Sequence, residues 1–539
     1  MIETIKTTPY TDQKMGTAGL RKKTKVIMQP NYFENFIQSI FNTIPALNQK
    51  SFLIGGDGRY FNKVAIQKII KIAAANQVKK LYIGQNGLVS TPAGSHIILE
   101  NKLDGGFVLT ASHNPGGIDG DFGIKYANAT GGQCQPAESQ AIYEQTQKIN
   151  EYKISDMPDI DLSQIGLTRC EDMEIEIIDP IADYIKLMES IFDFNQLRAL
   201  LKSDFRFVFD AMNGVTGPYG KKLFEEILGA PAGTVIHATP LEDFGGLHPD
   251  PNLIYAKPLV DLMFSDSAPD FAAANDGDGD RNMILGRRFF VCPSDSLAIL
   301  TDHYQTIPAY RNGIFGVAKS AATSMAVKRV AEALKIGYYE VPTGWKYFIH
   351  LMDSQRITLC GEESFGTGAS HIREKDGIWA TLFWLSIIAQ TRKSVKDIAL
   401  DHWKKYGRSY YLRNDFEKIR QETADKLMSD LQNKLPSLIG QTFGSYTVNE
   451  AYPFIYNDPV DHTSTQNGLI VHFKDGSRIV YRLSGTGTDG ATLRTYIERY
   501  VTDDLLENPE DMLKELCGVS RQISEITIRT GKEQPDIIT

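Results

Sequence analysis

Ser51-Phe-Leu-Ile-Gly-Gly-Asp57 runs, after a short break, into Val64-Ala-Ile-Gln-Lys-Ile-Ile-Lys-Ile-Ala-Ala74. An apolar run that ends on glycines, followed by apolar residues at helical spacing, reads as strand, turn and amphipathic helix. The same plan recurs at Phe205-Arg-Phe-Val-Phe-Asp210 before Tyr219-Gly-Lys-Lys-Leu-Phe-Glu-Glu-Ile-Leu228. It recurs again at Gly313-Ile-Phe-Gly-Val317 before Ser324-Met-Ala-Val-Lys-Arg-Val-Ala-Glu-Ala-Leu334. Strands alternating with helices predict mixed α/β sheets, and three such units in series predict three α/β domains. The turn Gly56-Asp-Gly58 is not a dinucleotide fingerprint, because Phe61 stands where the third glycine belongs.

The C-terminal part differs. Gly468-Leu-Ile-Val-His-Phe-Lys-Asp475-Gly476-Ser-Arg-Ile-Val-Tyr481 predicts a β-hairpin turning at Asp-Gly. Helical stretches are expected near 417–432 and 492–499, which makes this an α+β domain. Residues 131–175 carry no clear period, and 532–539 are expected to be mobile.

A chain of 539 residues is too long for one core. Its hydrophobic content of 42% suits a globular protein. The net charge of −9 argues against nucleic acid or an anionic membrane as partner. Cys134, Cys170, Cys292, Cys360 and Cys517 are odd in number and widely spaced, which predicts reduced thiols and a cytoplasmic protein. The N-terminus does not read as a signal peptide, and no apolar run could span a bilayer.

Three segments carry chemistry. Thr110-Ala-Ser112-His113-Asn-Pro-Gly-Gly117 follows the strand-like Gly106-Phe-Val-Leu-Thr110. A strand breaking into such a turn presents Ser112 at a sheet rim, beside free backbone N–H groups able to steady a phosphorylated serine. Asn275-Asp276-Gly-Asp278-Gly-Asp280-Arg281 sets three carboxylates close together after the strand-like Asp270-Phe-Ala-Ala-Ala-Asn275. Their repulsion needs a cation, and oxygen-only ligands select a hard one such as Mg²⁺. An EF-hand fails, because Arg281 and Arg287 hold the positions that need Gly and Glu. Arg482-Leu-Ser484-Gly485-Thr486-Gly-Thr488-Asp489-Gly490 follows the strand candidate 477–482 and precedes an expected helix containing Arg494. Hydroxyls, glycines, arginines and a helix N-terminus together describe a phosphate cradle.

This combination resembles the α-D-phosphohexomutase superfamily and, within it, the eukaryotic type of phosphoglucomutase, including the parafusin branch. The likeness extends along nearly the whole chain. It also takes in the stretch from Pro9 to Lys22, Gly123-Ile-Lys125-Tyr126, Thr343-Gly344-Trp-Lys346, Gly361-Glu362-Glu-Ser364-Phe-Gly366 and Arg373-Glu-Lys375-Asp-Gly377.

The resemblance implies three related α/β/α domains with mixed sheets plus a smaller C-terminal α+β domain around a central cleft. The boundaries expected are 1–185, 186–305, 306–405 and 406–539. It implies an intramolecular phosphotransferase of the isomerase class, interconverting glucose 1-phosphate and glucose 6-phosphate through phospho-Ser112 and glucose 1,6-bisphosphate. Ser112, Asp276, Asp278 and Asp280 would hold Mg²⁺. Arg21, Arg281, Thr343, Gly344, Glu362, Ser364 and Lys375 would hold the sugar phosphate, and Arg482, Ser484, Gly485, Thr486 and Arg494 its distal phosphate. His113, Lys125 and Lys375 are alternative carriers of the proton. The oligomer expected is a monomer or weak dimer. Two departures stand out: Ala18 replaces a usual serine, and Asp489 should point away from an anion. Alternative readings are a phosphomannomutase and a parafusin-like phosphoprotein acting in secretion.

Overall fold

A computed structural model describes residues 1–16, 18–487 and 490–539, with backbone alone over 485–487. The first large sheet has seven strands in the order Leu20–Lys23, Asp121–Asn128, Gly105–Leu109, Ser51–Gly56, Lys80–Leu88, Met173–Ile178, Gly166–Cys170. Its middle is parallel and its edges antiparallel. The stretch at 131–175, which shows no period, forms a helix (Pro136–Thr146), a strand (Glu151–Ser155) and the edge hairpin of that sheet.

The second sheet orders Val235–Ile236, Phe207–Asp210, Phe271–Asn275, Asn282–Gly286 and Phe289–Phe290. The third orders Gly337–Val341, Gly316–Ser320, Leu359–Gly361 and Thr367–Ala369. These three sheets share one device. A strand parallel to its predecessor ends, a loop follows, and the chain returns as the antiparallel neighbour. Gly105–Leu109 returns as Asp121–Asn128, Phe271–Asn275 as Asn282–Gly286, and Leu359–Gly361 as Thr367–Ala369. The loops so formed contain Ser112, the three aspartates, and Glu362 with Ser364.

The three sheets also share apolar packing. One buried cluster joins Leu53 and Val89 to Phe209 and Phe271, and to Val317 and Leu359. Its axis is the helix Gly377–Thr391, buried on almost every side and carrying Trp379, Phe383 and Trp384. Among the described residues no helix is long and apolar enough to cross a membrane.

The C-terminal sheet is antiparallel, in the order Thr442–Phe443, Tyr446–Asn457, Ser464–Phe473, Arg478–Gly487, Gly490–Val501, Arg408–Ile419, Ile537–Ile538. Its hairpin turns at Asp475-Gly476 as expected, with Gly476 at φ 88°. Helices Gln421–Leu438 and Pro509–Ser524 cover one face through Leu431, Leu435, Leu513 and Leu516.

Three expectations are corrected here. Residues 492–499 lie in the strand Gly490–Val501, and Glu417 lies in the strand Arg408–Ile419. Thr495, Tyr496 and Ile497 favour extended backbone, and pairing with distant strands on both sides decides the outcome. The tail is ordered as an edge strand: Ile537 and Ile538 pair with Asp415 and Asn414, and the Arg413 N–H donates to the Thr539 carbonyl at 2.7 Å.

Burial pushes His402 down to about 3 and His472 down to about 4. Above about pH 6.5 these imidazoles are neutral folded or unfolded. Below it the unfolded chain takes up protons that the fold refuses, so stability falls as pH drops toward those values. Each group should contribute a slope approaching about 1.4 kcal/mol per pH unit. Urea titrations between pH 6.5 and pH 5 should show a shallower pH slope for His402→Gln, and an unchanged slope would exclude this origin.

Candidate active site

Ser112 sits where strand geometry has just ended, and its backbone is left-handed at φ 55°. A non-glycine residue held there is strained by about 1–2 kcal/mol. The strain persists because the turn is clamped from below. Arg59 and Asp57 form a fully buried fork, with Arg59 Nε 3.0 and 2.9 Å from the two carboxylate oxygens and Nη2 2.8 Å from Oδ2. Arg59 Nη2 also donates to the Ser112 carbonyl at 2.8 Å, and Nη1 to the Asp121 carbonyl at 2.8 Å. The Thr110 hydroxyl donates to Asp57 at 2.5 Å and accepts the Ser112 N–H at 2.7 Å.

The clamped hydroxyl meets the acidic loop: Ser112 Oγ donates to Asp276 Oδ2 at 2.7 Å. Oxygens of Asp276, Asp278 and Asp280 lie within 4.8 Å of one another, and all three residues are buried. The glycines are required. A Cβ on Gly277 would come 2.8 Å from the Ser112 carbonyl oxygen, and Gly279 has φ 81°. Lys125 Nζ donates to Asp278 Oδ2 at 2.7 Å and Asp280 Oδ2 at 3.1 Å, and Lys375 Nζ lies 3.3 Å from Asp280 Oδ1. Thr91 adds a hydroxyl on Asp278 Oδ2 at 2.7 Å.

Charge in this loop is incompletely compensated. Burial raises the Asp276 carboxyl well above the usual range, and Asp278 and Asp280 raise it further. Burial also works against Asp278, but Lys125 and Thr91 outweigh it and hold that group below the ordinary carboxylate range. Asp278 Oδ1 and Asp280 Oδ1 are buried and accept no hydrogen bond. A crowded set of oxygen ligands, in which Asp278 Oδ1 has no partner and Asp280 Oδ1 has only the Lys375 ammonium at 3.3 Å, fits a divalent cation.

Positive groups surround the loop. Arg21, on the edge strand, and Arg281 both lie within charge range of Asp280. The Arg281 N–H donates to Asp276 Oδ1 at 3.0 Å, and its Nη1 pairs with Asp250 at 3.2 Å. His113 Nδ1 is 3.4 Å from Ser112 Oγ. Burial, with Arg281, Arg21 and Lys375, holds this imidazole well below its ordinary value, so it is neutral. The Lys125 ammonium is favoured by Asp278 and Asp280 against the cost of burial, and its pKa is raised. That direction is opposite to what a lysine base needs.

Glu362 begins the loop between Leu359–Gly361 and Thr367–Ala369 and accepts the Gly344 N–H at 3.1 Å. Burial raises its carboxyl, Lys375 opposing and Glu363 adding. Thr343 Oγ1 is buried without a partner, Ser364 is half-buried, and the aliphatic stem of Lys375 lies against Gly366. Lys375 is fixed by its successor: Asp376 caps the helix Gly377–Thr391 and is gripped by Tyr184 Oη at 2.5 Å.

The expected cradle lies elsewhere on the chain, on the paired strands Arg478–Gly487 and Gly490–Val501 and not at a helix N-terminus. Arg482 and Arg494 are direct cross-strand partners. Like charges so placed repel. Asp415 offsets part of this, 3.4 Å from Arg494 Nε and 2.9 Å from Arg413 Nε. Two guanidinium groups on one carboxylate, with a third opposite Arg494 on the neighbouring strand, leave positive charge suited to an anion. The side chains of Gly485 and Thr486, and residues Thr488 and Asp489, lie outside the described residues. Among the described residues no hydrogen bond or ion pair joins Arg482, Ser484 or Arg494 to the Ser112 loop.

Several residues in these networks carry no recognisable sequence signal: Thr91, Arg413 and Asp415. The Glu374 carboxyl is pushed up to about 7 by burial, Lys125 opposing and Asp280 adding. Asp57 and Arg59 stand in a glycine turn whose only apparent motif is the one rejected above. A cavity of about 540 Å³ between Phe205 and Lys396 contains none of the site residues, so convergence of side chains locates the site better than cavity size.

Removing one partner of a fully buried ion pair strands the other charge. Arg59→Met should therefore cost about 3–5 kcal/mol in urea titrations, and adding Asp57→Asn should recover part of it. An Arg59→Met chain as stable as the parent would show that the fork does not clamp the turn.

Family models match four successive segments. They are the phosphoglucomutase/phosphomannomutase α/β/α domain I over 12–153, domain II over 182–288 and domain III over 293–406, and the phosphoglucomutase-1 C-terminal domain over 408–536. A phosphoglucomutase of Rhizobium radiobacter is 52% identical over 542 residues, with 100% of both chains covered. Human phosphoglucomutase-1 is 49% identical over 560 residues, again covering 100% of each. A crystal structure of the exocytosis-sensitive phosphoprotein pp63/parafusin of Paramecium, a phosphoglucomutase in open form, superimposes with TM-score 0.93 at 44% identity, covering 100% of this chain and 99% of that one. The chain belongs to the phosphoglucomutase/phosphomannomutase family, in its phosphoglucomutase branch.

Proposed function

We propose that this chain interconverts glucose 1-phosphate and glucose 6-phosphate through a phosphorylated Ser112. One observation carries the reading: a strained, clamped hydroxyl donates at 2.7 Å to a buried acidic loop that wants a cation. We assign one functional loop to each of four domains, 1–185, 186–305, 306–405 and 406–539.

In the forward direction the free hydroxyl oxygen of the sugar attacks the phosphorus on Ser112. The bond from phosphorus to Oγ breaks, and glucose 1,6-bisphosphate results. The intermediate turns end for end and returns its other phosphoryl group to Ser112. Such transfers depend on positioning and charge neutralisation more than on covalent chemistry. Asp276, Asp278 and Asp280 would hold Mg²⁺, which when bound offsets charge on the transferring group.

Arg59 and Thr110 keep Oγ directed at that loop. Lys125 stays an ammonium on Asp278 and Asp280, and so neutralises charge instead of moving a proton. His113, neutral and near Oγ, and Lys375, against the sugar loop, are the groups we assign to the proton of the attacking hydroxyl. Arg21 and Arg281 face the reacting phosphate, and Glu362, Ser364, Thr343 and Gly344 the sugar hydroxyls. Arg482, Arg494 and Ser484, with Gly485 and Thr486, hold the distal phosphate. We infer a monomer or weak dimer in the cytoplasm, and the free thiols at all five cysteines fit that reducing compartment.

The assay is turnover of glucose 1-phosphate with Mg²⁺ and a trace of glucose 1,6-bisphosphate, with mannose 1-phosphate run in parallel. Glucose 1-phosphate should be the preferred substrate, and Ser112→Ala should lose at least about 10³-fold, the scale of removing a covalent nucleophile. Parent-level turnover by Ser112→Ala would refute the phosphoserine route, and preference for mannose 1-phosphate would refute the assigned specificity.

A further inference from the structure

Glu362 accepts the Gly344 N–H, whereas its neighbour Glu363 is bound by the turn 320–325. The Glu363 carboxylate accepts from Ser320 Oγ at 2.8 Å and from Thr323 Oγ1 at 3.3 Å. The Glu363 N–H donates to that same Thr323 oxygen at 2.9 Å. All three residues are buried. Thr323 thus holds both the side chain and the backbone of the residue that follows Glu362.

The other end of Thr323 grips the C-terminal sheet. Its carbonyl accepts from Arg478 Nη2 at 2.6 Å. Arg478 begins the strand Arg478–Gly487, whose far end carries Arg482 and Ser484. Its side chain is 1% exposed and lies between Glu340 at 3.3 Å and Glu498 at 3.4 Å. Glu498 is the cross-strand partner of Arg478, and accepts the Met325 N–H at 2.9 Å. One short turn, 320–325, therefore fastens the sugar loop on one side and the root of the anion-binding hairpin on the other.

We propose that Thr323 is a positioning residue that keeps the sugar loop and the distal phosphate hairpin in register, so that the bisphosphate is retained while it turns. The proposal rests on the mutase reading above. The two phosphates of a turning intermediate exchange places, so the hairpin must recapture one end as the other comes to Ser112, and that requires a fixed spacing between the sugar loop and the hairpin. If the two drift apart, more bisphosphate escapes per turnover, and the enzyme loses its phosphate until free bisphosphate restores it.

The quantity that reports this is the concentration of glucose 1,6-bisphosphate giving half-maximal activity. Thr323→Val keeps the volume and removes the hydroxyl. It should raise that concentration about tenfold, the equivalent of one hydrogen bond to a charged group, while turnover at saturating bisphosphate changes far less. Thr323→Ser, which keeps the hydroxyl, should restore the parent value. Should Thr323→Val not fold, Ser320→Ala removes one bond to Glu363 and must shift the same concentration in the same direction. An unchanged bisphosphate requirement in whichever of these variants folds, or a fall in saturated turnover with no change in requirement, would overturn the proposal. A parent chain that does not turn over glucose 1-phosphate at all would overturn the mutase reading itself, and the role of Thr323 with it.

Discussion

Three carboxylates confined to five residues set the central constraint of this protein. Asp276, Asp278 and Asp280 are almost wholly buried, and two of their oxygens accept no hydrogen bond. Burying like charges at such separation is unfavourable without a compensating cation or ammonium. The rest of the site is arranged around that cost. Lys125 comes from a strand of the first sheet and Lys375 from the turn before the helix Gly377–Thr391, while Thr91 supplies a hydroxyl from a third element. The same crowding makes the loop a natural seat for a divalent ion, so one arrangement opposes folding and supplies the chemistry.

The fold meets the constraint by repeating one device. In each of the first three sheets a parallel strand ends, a loop forms, and the chain returns antiparallel beside it. The loop tips lie at the carboxyl ends of strands, where open α/β sheets bind ligands. Their bases are rigid, because the strands flanking them are buried on both faces. Ser112 pays for its position with a left-handed backbone, and a buried ion pair beneath it keeps that conformation from relaxing.

The fourth sheet solves a different problem. Its hairpin sets Arg482 opposite Arg494, an arrangement that favours an anion between the strands. A buried charged network fixes the root of that hairpin to the third sheet, where Lys319, Glu340, Arg478 and Glu498 alternate in sign. Such networks contribute geometry more than stability, since their desolvation costs nearly what their attraction returns.

The chain order of strands and helices, the glycine-spaced aspartates and the serine at a strand end are local patterns, and each was legible from residues alone. Period and spacing survive in a linear sequence because the backbone repeats every two or 3.6 residues. The hairpin at Asp475-Gly476 was legible for the same reason. What lay beyond reading depended on partners far away in sequence. Residues 492–499 are a strand because residues 408–416 and 478–484 flank them, and the tail is ordered because Arg413 and Asp415 accept it. Thr91 and Arg59 are ordinary residues in ordinary surroundings until folding brings them against Asp278 and Ser112. Sequence determined which groups could do the chemistry. Tertiary structure decided which of them meet, because burial and charge compensation act through space, across separations of 53 residues between Arg59 and Ser112 and 187 between Thr91 and Asp278.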